Sequence, residues 1–187
     1  MLRWASVILF IFVGAAAQAE TIEEKAQVCG ACHGEKGVPQ DKALPIIWGQ
    51  HAGYVYLQLR DFQKGVRTNE QMQPIAEALS KDDMMALAEY FEKKQWPRLA
   101  QPAASADDTA TARRVNGSIG CTGCHLDRYQ GDGSVARIAD QQHDYLLKTM
   151  LDFRARTRAN NPGMSDLMLA ISPEDIAACA EYLAWLR

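Results

Sequence analysis

The sequence predicts an all-α protein built as two tandem small helical bundles. Three observations carry that expectation. The second half repeats the first at a nearly constant offset, the helices of each half are capped and amphipathic, and alternating β-branched runs are almost absent.

The repeat is exact enough to align residue by residue. At an offset of 92, Cys29 pairs with Cys121, Met72 with Met164, Ser80 with Ser172, Asp83 with Asp175 and Tyr90 with Tyr182. Between these points the offset falls to 91, where Gln50 pairs with Gln141, Tyr54 with Tyr145, Asp61-Phe62 with Asp152-Phe153 and Arg67 with Arg158. One residue lost and one regained is the mark of loop changes between fixed elements.

The elements follow in order. Residues 1–19 read as a secretory signal peptide: Arg3 supplies the positive end, Val7 to Val13 the apolar run, and Ala17-Gln18-Ala19 the small-x-small cleavage site. The apolar stretch is short for a spanning helix, and an uncleaved anchor is its rival. Residues 20–96 form the first domain. A first helix leads to Cys29, a middle helix runs from Ala52 to Lys64, and Met72 is expected on a turn-rich loop before Gln73-Pro74. Ser80 caps the last helix, whose stripe is Met84, Leu87, Ala88 and Phe91. Residues 97–110, rich in Pro, Ala, Ser and Asp, read as an exposed linker. Residues 111–187 repeat the plan. A middle helix spans Asp144 to Arg154, Met164 is expected on a loop after Pro162-Gly163, and Ser172 with Pro173 opens a last helix striped by Ile176, Cys179, Ala180 and Leu183.

Cys29-Gly-Ala-Cys32-His33 and Cys121-Thr-Gly-Cys124-His125 are C-x-x-C-H motifs, the attachment pattern of a c-type haem. Two thiols one helical turn apart reach the two haem vinyl groups, and the adjacent His offers an imidazole to the iron. His33 to Met72 and His125 to Met164 both span 39 residues. A His/Met pair closes the iron, raises its potential and suits electron transfer. The expected cofactors are therefore two covalent haem c groups, bound through Cys29, Cys32, Cys121 and Cys124, with iron ligands His33, Met72, His125 and Met164.

Other readings of these residues are weaker. A redox dithiol wants a βαβ setting, and a joint zinc site would leave both histidines without a purpose. Met168 competes with Met164, but its repeat partner is Ala76. Cys179 pairs with Leu87 on the apolar stripe and reads as a buried small hydrophobe. His51 and His143 are not repeat partners and read as surface residues at helix starts. Tyr54 and Tyr145 read as core or haem-adjacent residues. Arg67 and Arg158 face haem propionates or acidic neighbours.

The chain resembles the two-domain, dihaem class I cytochromes c of the cytochrome c4 type. In the first half the resemblance rests on Cys-x-x-Cys-His-Gly (29 to 34), Gly49-Gln50, Tyr54-Val-Tyr-Leu-Gln58-Leu59-x-x-Phe62, Gly65-x-Arg67-x-Asn69 and Met72-x-Pro74-Ile-Ala-x-x-Leu79-Ser80, then Asp83 and Leu87-Ala-x-Tyr90-Phe91. It implies two class I cytochrome c-type domains, each a small bundle around one covalent haem, in a periplasmic protein that carries electrons between respiratory partners. Those partners would be a quinol-oxidising complex, a terminal oxidase or a dehydrogenase, with peripheral membrane association open. The resemblance also implies that Pro45 lends its carbonyl to the ring N–H of His33. The matching residue is Ala136, which keeps a carbonyl but loses the φ restraint of proline, so inequivalent haems are expected.

Composition excludes other classes. The net charge is −3, and removal of Arg3 with the leader makes it −4, so no basic tract invites nucleic acid. An electron carrier is the leading expectation. The alternatives are a cytochrome subunit of a larger complex, such as a flavocytochrome c, and a haem enzyme with one open iron.

Overall fold

A computed structural model describes residues 20–186. The expected signal peptide at 1–19 lies outside those residues. In the first half the helices are α1 (Ile22–His33), α2 (Ala52–Gln63), α3 (Met72–Glu77) and α4 (Lys81–Glu92). In the second they are α5 (Ala106–Ile119), α6 (Thr122–His125), α7 (His143–Arg154), α8 (Pro162–Leu169) and α9 (Pro173–Trp185). Among the described residues there is no strand, and a single bridge joins Asp132 to Val135.

Side-chain caps set the helix starts. Thr21 with Glu24 and Ser80 with Asp83 form reciprocal capping boxes on α1 and α4. Ser105 and Ser172 accept from the third backbone N–H of α5 and α9. Each such cap is worth about 1 kcal/mol.

Helix α4 packs on α1 and α2, and α2 also covers α3; α9 packs on α5 and α7, and α7 covers α8. The apolar stripes meet at these contacts. Val55, Leu59, Met84 and Ala88 form one core of the first half, and Ala26, Leu87 and Phe91 another. In the second half one cluster joins Val115, Leu146, Phe153, Met168, Ile176 and Leu183. Cys179, 8% exposed, is part of it.

The halves differ at the first helix. Helix α1 runs unbroken through His33, whereas α5 stops at Gly120 in the left-handed conformation (φ 71°) and α6 restarts after it. The repeat partner of Gly120 is Val28, which continues the helix.

Residues 97–105 carry no helix, and α5 begins within the stretch expected as linker. That stretch is only partly exposed. Leu99 is buried with Ile46 and Trp96. The Gln101 amide donates to the Gln141 and Ala184 carbonyls (2.9 and 2.8 Å) and accepts from the His143 N–H (3.0 Å).

The two halves pack through a pseudo-two-fold set of hydrogen bonds, each with a mate at an offset of 91. The Tyr54 N–H donates to the Gly133 carbonyl (3.1 Å), and the Tyr145 N–H to the Lys42 carbonyl (3.2 Å). Arg158 donates to the Tyr54 hydroxyl (3.1 Å), and Arg67 to the Tyr145 hydroxyl (3.2 Å). His51 Nε2 bonds the Gln130 carbonyl (2.8 Å), and the Gln142 amide donates to the Pro39 carbonyl (3.3 Å). His51 is thus a bridge between halves rather than a plain surface residue. Arg67 and Arg158 reach tyrosines of the opposite half rather than acidic neighbours.

Candidate haem centres

His33 ends α1 and His125 ends α6, so each imidazole leaves its helix where the chain turns away. His33 Nδ1 lies 2.8 Å from the Pro45 carbonyl, and His125 Nδ1 lies 2.9 Å from the Ala136 carbonyl. A carbonyl only accepts, so Nδ1 carries the proton in both rings. Nε2 is then a bare lone pair, and among the described residues neither Nε2 has a hydrogen-bond partner. Burial lowers both pKa values, against the opposing pull of the carbonyls, which keeps the rings neutral. A neutral imidazole with its far N–H anchored is the form that ligates a metal.

The thiols are arranged for attachment. Cys29 and Cys121 are half-buried, Cys32 and Cys124 are exposed, and all four are free. Cys29 packs against the core of Ala26, Leu87 and Phe91, and Cys121 against the second-half core. Burial pushes the Cys29 and Cys121 thiols up, opposite to the lowered pKa of a redox dithiol. Cys29 and Cys32 also sit in the last turns of a helix, far from the N-terminus that would stabilise a thiolate. Among the described residues no three His, Cys, Asp or Glu side chains gather closely enough to hold a metal ion, the four motif cysteines included.

The methionines lie on short helices rather than on the loops expected. Met72 opens α3 and Met164 is the third residue of α8. In each half an asparagine three residues upstream holds the Met N–H. Asn69 Oδ1 accepts from the Met72 N–H (2.9 Å), and Asn161 Oδ1 from the Met164 N–H (3.1 Å). The sequence pattern included Asn69 only as part of the family resemblance and left Asn161 out, although their equal spacing to Met in both repeats was a usable signal. Met72 and Met164 are half-buried at the edge of their cores, while Met84 and Met168 are buried within them. Met164 is thus more accessible than Met168. The donor set of each half, one anchored imidazole, one accessible thioether and two thiols on a helical turn, fits a c-type haem.

A cytochrome c4 of Thiocapsa roseopersicina is 36% identical to this protein over 88% of this chain and 90% of its own. The chain belongs to the cytochrome c4 family. The cytochrome c4 of Pseudomonas aeruginosa is 33% identical, covering 92% of this chain and 90% of its own. A thiosulfate dehydrogenase electron acceptor of Stutzerimonas stutzeri is 34% identical, covering 85% and 79%. The crystal structure of reduced recombinant cytochrome c4 from Pseudomonas stutzeri superposes with a TM-score of 0.79 at 27% identity, covering 92% of this chain and all of that one. No protein-family model matches the chain.

As a cytochrome c4, the protein carries two covalently bound haem c groups and works in electron transfer, not as an enzyme. The all-α, two-domain class I fold agrees with the sequence expectation. No helix among the described residues is long and apolar enough to cross a membrane.

Proposed function

We propose that this cytochrome c4 is a periplasmic carrier in which Cys29 with Cys32 and Cys121 with Cys124 anchor the haems. His33 with Met72 and His125 with Met164 would ligate the two irons. One observation carries the assignment: in both halves the motif histidine donates Nδ1–H to a backbone carbonyl 11 or 12 residues on and leaves Nε2 free. A haem bound in each half would supply a one-electron ferric–ferrous couple. The chain's part is to hold the imidazole rigid and neutral, to place a thioether through the Asn69 and Asn161 side chains, and to exclude water with the apolar clusters of each half. A closed His/Met iron has no position for substrate, which suits a carrier.

The domains are read as 20–96 and 111–187 about the connector, with residues 1–19 removed as a leader on export. Of the partner classes, a dehydrogenase donor has specific support. Two relatives, from Stutzerimonas stutzeri and Thiomonas intermedia, are named as thiosulfate dehydrogenase electron acceptors. Docking to such a donor would be transient and of modest area.

Intact mass and N-terminal sequencing of the protein from a periplasmic fraction test this reading. The expected result is a chain that begins near Glu20 and carries two haems. A single haem, or two haems retained after Cys29 and Cys32 or Cys121 and Cys124 are replaced, would overturn it.

A further inference from the structure

The peptide group that receives each motif histidine is held from behind by a glutamine of the opposite half. The Pro45 carbonyl accepts from His33, and the N–H of that same peptide, on Ile46, donates to Gln141 Oε1 at 2.8 Å. The Ala136 carbonyl accepts from His125, and the N–H of that peptide, on Arg137, donates to Gln50 Oε1 at 2.8 Å. Each glutamine also donates from Nε2 to the next carbonyl, Gln141 to Ile46 (3.0 Å) and Gln50 to Arg137 (2.9 Å).

The amide orientations are determined by their surroundings. Gln141 Oε1 faces a second N–H, that of Gln142 (2.9 Å), and Gln50 Oε1 that of His51 (3.1 Å). A flipped amide would set donors against donors and a carbonyl against a carbonyl. Gln50 is 4% exposed and Gln141 2%, so water does not compete for these groups.

We propose that Gln141 and Gln50 are positioning residues that act across the interface, Gln141 on His33 and Gln50 on His125. The proposal rests on the His/Met assignment given above. An N–H that donates a hydrogen bond makes the carbonyl of the same peptide a stronger acceptor, because hydrogen bonds in a chain polarise one another. The stronger acceptor draws more on the Nδ1 proton, which makes Nε2 a better electron donor. A better donor favours the ferric state, so each glutamine lowers the potential of the other half's haem. Docking of the halves and the two potentials are then coupled through two peptide groups.

The test uses holoprotein carrying Gln141→Met or Gln50→Met, which keep the shape and remove the acceptor. The two potentials are assigned by following the shifted methyl signals of Met72 and Met164 during a redox titration. Gln141→Met should raise the potential of the first-half haem and leave the second nearly unchanged; Gln50→Met should do the reverse. Variants that move their own half's haem, or neither haem, with the Met–iron band intact overturn the proposal. A wild-type protein without that band at one haem overturns the ligand assignment, and the proposal with it. If the Met variants fail to take up haem, Gln141→Glu and Gln50→Glu keep an acceptor and add charge. They should lower the opposite haem's potential more than their own half's, and the reverse order overturns the proposal.

Discussion

Leu126 stands at φ 64°, ψ 169° in the place that Gly34 fills at φ 89°, ψ 124° in the first half. Each follows the motif histidine directly. The other three non-glycine residues at positive φ among the described residues, Tyr129, Asp140 and Arg156, likewise fall on first-half glycines at positive φ, namely Gly37, Gly49 and Gly65. The second half makes the same turns with side chains that resist them.

Leu126 occupies a region open almost solely to glycine, at a strain of about 1–3 kcal/mol. Leu126→Gly should therefore stabilise the holoprotein by about 1 kcal/mol, after the extra freedom of glycine in the unfolded chain is subtracted. Denaturant unfolding measures it, and a loss of stability would contradict the strain. The reverse change is harsher. A Cβ at Gly34 would lie 2.2 Å from the Val38 carbonyl oxygen, so Gly34→Ala should block folding of the first half.

The carbonyls that hold the two histidines come from Pro45 and Ala136, at 2.8 and 2.9 Å. Proline restrains its own φ and alanine does not. Two separate one-electron waves are expected in a redox titration, and Ala136→Pro should bring them closer. Coincident wild-type potentials, or waves that separate further in the variant, would count against this.

Lys25 on α1 bonds Asp83 at the start of α4, and Arg114 on α5 bonds Asp175 on α9 (2.7 Å). The Lys25 ammonium, helped by Ser80, holds the Asp83 carboxyl at about 2, below its ordinary value near 3.8. A carboxyl lowered on folding stabilises the native state fully above the unfolded value and loses that contribution as pH falls toward the folded one. Between about pH 4 and 2, acid should thus weaken the native protein. Lys25→Met, which leaves the Ser80 cap intact, should flatten that limb of the stability curve. An unchanged slope would show that the pair contributes nothing.

Arg158, 7% exposed, donates to the Tyr54 hydroxyl, Gln58 Oε1 (2.9 Å) and Asn160 Oδ1 (3.1 Å). Its mate Arg67 is half-buried and donates to Gln58 Oε1 (2.9 Å) and the Tyr145 hydroxyl. Gln58 has Thr149 as its repeat partner, so one glutamine serves both arginines. Arg158→Ala should destabilise by about 3 kcal/mol, because three part-buried acceptors lose a charged donor. Arg67→Ala should cost about half as much. Equal losses in chemical denaturation would show that burial does not separate the two.

The helices were legible because their signals are local: a cap, a stripe at helical spacing, a proline at the first position. The motif residues were legible because the chain states them twice. The Met helices were missed because an asparagine side chain holding the Met N–H, not hydrophobic periodicity, marks them. The interface was hidden for another reason. Gln50 and Gln141 stood out as repeat partners, but nothing along the chain says that each crosses to the other half. The same holds for Leu99, which lies in a stretch of linker composition yet packs with Ile46 and Trp96.

On the proposed assignment both irons are closed, one by His33 with Met72 and the other by His125 with Met164. Optical spectra of the holoprotein across the near-infrared Met–iron region, with carbon monoxide added to the reduced form, test it most directly. Two haems per chain, a Met band of full strength and no bound carbon monoxide are expected. A half-strength band with carbon monoxide at one haem would contradict it and point to an open iron.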